Sequence, residues 1–385
     1  MTKIASDWLI QPQAQAVCAM LTDAGHQALF VGGCVRNELL GAPIADIDLT
    51  TDATPDQVIE LATQAGFKPV PTGYDHGTVT VVVDHHPFEV TTFRKDVETD
   101  GRRATVAFAS RVEDDAHRRD FTMNALYARP DGTVVDPLKG LPDLSARRVR
   151  FIDDAEQRIR EDYLRILRFF RFHAWYGDPE GGLDADGLAA VAAHSAGIET
   201  LSRERVGAEM KRLLAAPNPA QSVASMAKSG VLAQVLAGAD AQFLPILIHV
   251  EQANGVAPSA MRRLACLGGE DQKDGLRLSK AEERDLSRML EEIGSGRDAR
   301  ELAYRYGTEA ARDIALLRAA LSDAQVSGTL ERALAQGAAA QGTFPVSARD
   351  LMPDLQGAAL GARLTEIESR WIKSGFALDR EALLS

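Results

Sequence analysis

The sequence predicts an α+β domain over residues 1–152 followed by an all-α remainder. Up to about residue 150, short β-branched runs alternate with helical stretches. From Asp153 onward the strand signal stops, and Leu, Ala, Arg and Glu recur at helical spacing almost to Ser385. The chain has 385 residues, more than one ordinary core accommodates, and its 45% hydrophobic and 25% charged content is that of a globular protein.

Strands are expected at 28–31, 47–51, 78–83, 88–93 and 133–135, giving a mixed sheet of roughly five strands with helices. Between the second and third, Thr54-Pro55-Asp56-Gln57 has the form of a helix start: Thr54 at the N-cap, Pro55 at the first helical position and Gln57 closing a capping box. That helix should stop at Gly66. In the helical part, glycine and proline break the pattern at 177–182, 217–219, 255–258 and 337–345, which reads as joints between subdomains. No repeat of fixed period is evident.

The formal net charge of -12 argues against a protein that coats nucleic acid by bulk attraction, but a local basic groove on an acidic body still admits one RNA. The amino terminus has no basic region leading into an apolar stretch, and no segment approaches the length of a membrane span. No membrane association and a cytoplasmic location are expected. Cys18, Cys34 and Cys266 have neither a pairing pattern nor zinc-site spacing, and read as buried thiols.

The chemistry concentrates in three segments. The first is G-G-C-V-R at 32–36 followed by Asp46-Ile47-Asp48. Two carboxylates at i and i+2 on a strand share a face and suit Mg2+, which takes oxygen ligands and completes its shell with water and phosphate. Gly32 and Gly33 let backbone amides approach phosphate at a helix N-terminus, and Arg36 adds a planar cation. Two such ions support in-line nucleotidyl transfer. Glu89 has parity compatible with the same cleft, although alternation alone leaves open which face is inward.

The second segment, R-R-D-F-T-M-N-A-L at 118–126, has the form of a helix start, with Arg119 and Asp120 placed to hold a nucleotide's sugar hydroxyls and phosphates. The third, E-D-Y-L-R-I-L-R-F-F-R-F at 161–172, reads as one helix with Asp162 and Arg165 three apart and Arg168 and Arg171 continuing the step. Cytosine and adenine share an amino donor beside a ring-nitrogen acceptor. An accepting aspartate and a donating arginine match both and mismatch uracil and guanine.

In this order these motifs, together with D-P-L-K-G at 136–140 and Asp143, resemble the class II CCA-adding tRNA nucleotidyltransferases of the poly(A) polymerase family, within the DNA polymerase beta superfamily. The resemblance implies a nucleotidyltransferase head at 1–152, a neck with an amino-acid template at 153–230, a body at 231–325 and a tRNA-binding tail at 326–385. It implies metal at Asp46 and Asp48, and nucleotide contacts from Gly33, Arg36, Arg119, Asp120, Asp162 and Arg165, to which the glycine turn adds Gly32 and the helical step adds Arg168 and Arg171. The implied substrates are CTP, ATP and tRNA. F-P-V-S at 344–347 with Asp350-Leu351 and Trp371-Ile372 resembles the family's tail, with Ala348 where glycine is usual.

Two features bear on the product. Thr72-Gly73-Tyr74-Asp75-His76-Gly77 stands where poly(A) polymerases of the family carry an arginine-rich segment, which disfavours polyadenylation. A long polar loop at 95–110, including Asp100-Gly101-Arg102-Arg103, favours full C-C-A over C-C addition, with Ala104 in place of the expected proline. There is no His-Asp dipeptide and no histidine after His249, so the metal phosphohydrolase domain of some relatives is expected to be absent.

Overall fold

The computed structural model describes residues 2–99, 104–322, 325–352 and 354–385. The chain divides into two compact units, Met1–Leu213 with Gln221–Val235, and Leu214–Ala220 with Leu236–Ser385.

The first unit opens with helix α1 (Pro12–Thr22), strand β1 (Leu29–Val31), α2 (Gly33–Leu40) and β2 (Asp48–Thr51). Next come α3 (Pro55–Gln64), β3 (Lys68–Gly73), β4 (Thr78–Val83) and β5 (His86–Thr92). A seven-stranded mixed sheet runs in the order β3-β4-β5-β2-β1-β8-β9, where β8 is Tyr127–Ala128 and β9 is Val134–Val135. Only β2 and β5 pair in parallel, and their crossover carries α3, β3 and β4. β4, T-V-T-V-V-V, buries every second residue, so alternation sets its inward face. The expected start of α3 is present in full: Thr54 and Gln57 form a capping box and Pro55 stands at the first helical position.

The mixed sheet followed by a helical remainder agrees with expectation, while the strand count is higher. β3 carries Pro69 and Pro71, which weaken a strand pattern and are tolerated because β3 lies at the sheet edge. β8 has two residues, too few for a period. The segment expected as a polar loop at 95–110 largely forms a separate hairpin, β6 (Arg94–Thr99) with β7 (Ala104–Phe108); Asp100-Gly101-Arg102-Arg103 lies outside the described residues.

After the hairpin, α4 (Val112–His117) leads into the R-R-D segment, and α5 (Leu141–Ser145), α6 (Ala155–Glu161), α7 (Leu164–Tyr176), α8 (Ala185–Ala193) and α9 (Arg203–Leu214) follow. Phe121, Phe151, Phe169 and Phe172 pack ring on ring, fastening α7 to the segment after α4. This burial explains the density of phenylalanine in 161–172.

The second unit is helical. Arg262 and Arg263, both almost fully buried, flank buried Glu251 at 2.8 and 2.7 Å. Helices Ala299–Tyr306 and Leu330–Ala340 meet at Gly337, where a Cβ would stand 2.1 Å from the Arg300 carbonyl oxygen. Val346, Trp371 and Ile372 share one buried cluster with Phe344 and Leu351 packed on it, so the tail motif is brought together in space. Ser347 and Asp350 form a capping box. The three cysteines are free and buried, as expected. Among the described residues, no helix is long and apolar enough to cross a membrane.

Candidate active site

A cavity of about 430 Å³ opens in the first unit, where β1 passes into α2 and the segments after α4 and α6 converge. Its wall includes Gly32, Gly33, Arg36, Asp48, Glu89, Arg119, Asp120, Asp162, Arg165 and Arg168. Most of the residues singled out from sequence thus meet in one place.

Gly32 turns the chain between β1 and α2 at φ 70°, a left-handed conformation suited to glycine, and Gly33 begins the helix. A Cβ on Gly33 would meet no protein atom within 4 Å, so the helix N-terminus stays open toward the cavity. An open helix N-terminus of this kind can receive an anion.

The carboxylates differ from expectation in one respect. β2 begins at Asp48, so Asp46 lies in the preceding loop, is exposed, and does not line the cavity. The one-face argument for Asp46 and Asp48 therefore fails, because Asp46 is not on the strand. Asp48 instead has Glu89 as its register partner across the parallel β2–β5 pair, and both line the cavity. Burial first, then the charges of Glu89 and Asp46, push the Asp48 carboxyl up to about 6, with Arg119 opposing. Clustered carboxylates with this mutual repulsion fit a divalent cation. Among the described residues, no three ligand-type side chains converge into a closed metal cage. Phosphate and water would complete the shell.

The R-R-D segment does not start a helix. Arg118 ends α4, and Thr122–Asn124 form a single 3₁₀ turn before β8. The Asp120 carboxylate accepts from the Phe121 amide at 2.9 Å, Asn124 Nδ2 at 2.8 Å and Arg168 Nε at 2.6 Å. Burial opposes its ionisation, but Arg168 and Asn124 hold it down at about 2. Arg36 is equally engaged. It donates to Asn37, to Asn124 at 2.5 Å and to the Tyr176 hydroxyl at 2.9 Å, and its Cζ lies 4.0 Å from the centroid of the Tyr176 ring. Arg36, Asn124, Asp120 and Arg168 thereby form one continuous chain from α2 to α7.

The 161–172 segment is two helices rather than one. α6 ends at Glu161, Asp162 is extended at the joint, and α7 begins at Leu164. Asp162 and Arg165 are adjacent through a turn, with the Arg165 amide donating to the Asp162 carbonyl at 2.9 Å. The Asp162 carboxylate accepts from the Leu164 amide at 3.1 Å and from Arg205 at 2.7 Å. Arg165 is aimed by Glu161 at 2.6 Å and by the carbonyls of Arg158 and Arg118 at 2.8 and 2.9 Å. Arg171 points elsewhere. It pairs with buried Glu209 at 2.5 Å and does not line the cavity, since a step of three drifts around the helix.

Sequence reading overlooked Asp115, Asn124 and Arg205. Asp115 stands three and four residues before Arg118 and Arg119, a spacing that announces paired charges on a helix. Nothing in the sequence signals that Arg205, on α9, meets Asp162.

Residues 28–150 match the family described as "Poly A polymerase head domain", and 183–243 the one described as "Probable RNA and SrmB- binding site of polymerase A". The chain is 32% identical over 391 residues to the mitochondrial CCA tRNA nucleotidyltransferase 1 of Mus musculus, covering 96% of this chain and 88% of that protein. It belongs to the class II CCA-adding nucleotidyltransferases. A CCA-adding enzyme of Geobacillus thermodenitrificans is 38% identical over 221 residues, 57% of this chain and 53% of that one. The crystal structure of the Bacillus stearothermophilus CCA-adding enzyme in complex with CTP superposes with a TM-score of 0.79 at 27% identity, covering 95% of this chain and 94% of that one. As a CCA-adding nucleotidyltransferase, the chain keeps a nucleotide-sized cavity, paired carboxylates and an arginine-rich wall within one unit.

Proposed function

We propose that this protein adds C, C and A to the 3′ end of tRNA, using CTP and ATP and releasing pyrophosphate. One observation carries the reading: the Asp48–Glu89 carboxylate pair lines a single cavity together with Arg119, Arg165, Arg168 and Asp162. Anionic ligands for a cation, cations for a triphosphate, and an acceptor–donor pair for a base edge are the parts that nucleotide addition needs.

Divalent metal ions, Mg2+ in this reading, would be held by Asp48 with Glu89 or Asp46, and would activate the tRNA 3′-hydroxyl and neutralise the triphosphate. The hydroxyl oxygen attacks the α-phosphorus, the bond to pyrophosphate breaks, and the hydroxyl proton passes to water. Gly32 and Gly33 receive the phosphates at the start of α2, and the Nη1 of Arg119 faces the same place. Arg36, Asp120 and Arg168 brace one another, so they shape the nucleotide site as a unit. Asp162 accepts from the exocyclic amino group of C or A, each of its oxygens keeping a further lone pair, and Arg165 donates to the ring nitrogen. Arg171 pairs with Glu209 and lies over the Phe172 ring, and in this reading it makes no direct contact with the nucleotide.

The head at 1–152, neck at 153–230, body at 231–325 and tRNA-binding tail at 326–385 are part of this proposal, as is a cytoplasmic site of action. Incubation with tRNA lacking its 3′ end and each labelled NTP tests it. Incorporation of two C and one A is expected; long A tracts on generic RNA without CTP would identify a poly(A) polymerase, and no incorporation would overturn the reading.

A further inference from the structure

The geometry points to Asp115 as a positioning residue that sets Arg119 toward the phosphate cradle of the nucleotide site, a role that rests on the reading of that cavity as a nucleotide site. Asp115 sits on the inner face of α4 and is fully buried. Its Oδ1 accepts from Arg118 Nε at 2.9 Å. Its Oδ2 accepts from Arg119 Nε at 3.2 Å, from Arg119 Nη2 at 2.9 Å and from the Tyr127 hydroxyl at 2.9 Å. One carboxylate thus gathers two adjacent guanidiniums that would otherwise repel each other.

The consequence lies at the free end of Arg119. Nε and Nη2 are both taken by Asp115, and Nε also meets the Tyr127 hydroxyl at 3.1 Å. Among the described residues Nη1 has no hydrogen-bond partner, and it lies 3.5 Å from where a Cβ on Gly32 would stand. A planar guanidinium held along one edge has its opposite corner fixed, and here that corner faces the mouth of α2. Burial opposes the charge on Asp115, but Arg119 and Arg118 hold its carboxyl well below the usual carboxylate range, so the clamp stays ionised. Arg118, gripped by the other oxygen, passes its carbonyl to Arg165 Nη2 at 2.9 Å, so the same clamp also reaches the base-reading wall.

Asp115→Asn preserves shape and removes the charge. The expected result is a fall in kcat of about 30-fold for both C and A addition with KM for either NTP changed less than about threefold, because misplacing a group near the reacting phosphate costs rate before binding. A more specific readout is chemical rescue. Arg119→Ala should regain at least tenfold activity in millimolar methylguanidinium, and Arg119→Ala with Asp115→Asn should regain none, since the carboxylate seats the added cation. Equal rescue in both, or wild-type kcat in Asp115→Asn, overturns the role. Should Asp115→Asn not fold, Arg119→Lys keeps the charge but cannot span both clamp contacts; a loss of tenfold or more supports positioning, and a wild-type rate overturns it. Methylguanidinium-dependent CTP binding by Arg119→Ala, followed calorimetrically without tRNA, separates failure of this inference from failure of the tRNA reading.

Discussion

Asp48 and Glu89 are register partners on the parallel strands β2 and β5, and both face the cavity floored by Gly32 and Gly33. If they share a cation, Glu89→Gln should lower kcat about 100-fold or more, close to the effect of Asp48→Asn, with the tRNA Kd unchanged. Single-turnover addition of CMP measures this. A change below about threefold would return Glu89 to the standing of a solvent-facing strand residue.

The same pair sets a pH dependence in protein stripped of divalent ions. The Asp48 carboxyl is raised to about 6 by burial and by Glu89 and Asp46, against an unfolded value of about 3.9. A group whose folded pKa is raised holds its proton more tightly when folded, so stability falls as pH rises between about 4 and 6. Discounted for partial exposure, the loss is about 1–2 kcal/mol. In EDTA, Asp48→Asn should therefore be more stable than wild type at pH 8 and nearly equal to it at pH 4. Thermal unfolding checks both, and added Mg2+ should restore the wild type at pH 8.

Those effects separate what local pattern conveys from what it does not. The capping box at Thr54 and Gln57 was readable because both partners lie within one turn. Glycine spacing at 32–33 announced the tight turn into α2 for the same reason. The reading of Asp46 and Asp48 as strand neighbours failed by two residues, since a strand start is set by pairing with β1 and β5 rather than by its own composition. Asp162 appeared to sit on a helix because its neighbours are helix formers, yet the chain is extended there, between α6 and α7. Arg205 was invisible altogether: its partner lies 43 residues away, and only the tertiary fold joins them.

That contact yields a prediction about fidelity. Arg205 holds one oxygen of Asp162 at 2.7 Å and fixes its direction without occupying every lone pair. Arg205→Ala should leave C and A addition within about tenfold of wild type while UTP and GTP misincorporation rises relative to it. Asp162→Ala should lose that discrimination further, by about 1–3 kcal/mol of selectivity, without weakening metal binding. Competition assays with paired labelled NTPs report the ratio. Unchanged preference in Asp162→Ala would remove it from base reading.

The second unit offers a test of stability alone. Glu251 is 1% exposed and accepts from Arg262 Nε at 2.8 Å and from Arg263 Nε and Nη2 at 3.0 and 2.7 Å. Arg263 goes on to donate to the carbonyls of Leu214 and Ala216 at 2.7 and 2.5 Å, and Arg262 to Asp313 at 2.5 Å. Removing the acid leaves two guanidiniums buried side by side, with Asp313 as their one remaining ion-pair partner among the described residues. Glu251→Ala should destabilise this unit by about 3–5 kcal/mol in urea unfolding. Glu366→Ala, which breaks the exposed pair with Arg363, should cost less than about 0.5 kcal/mol. The contrast is the informative quantity: the two pairs have the same 2.8 Å separation at their closest or near-closest bond, so a similar cost for both would mean that burial does not govern the strength of this network.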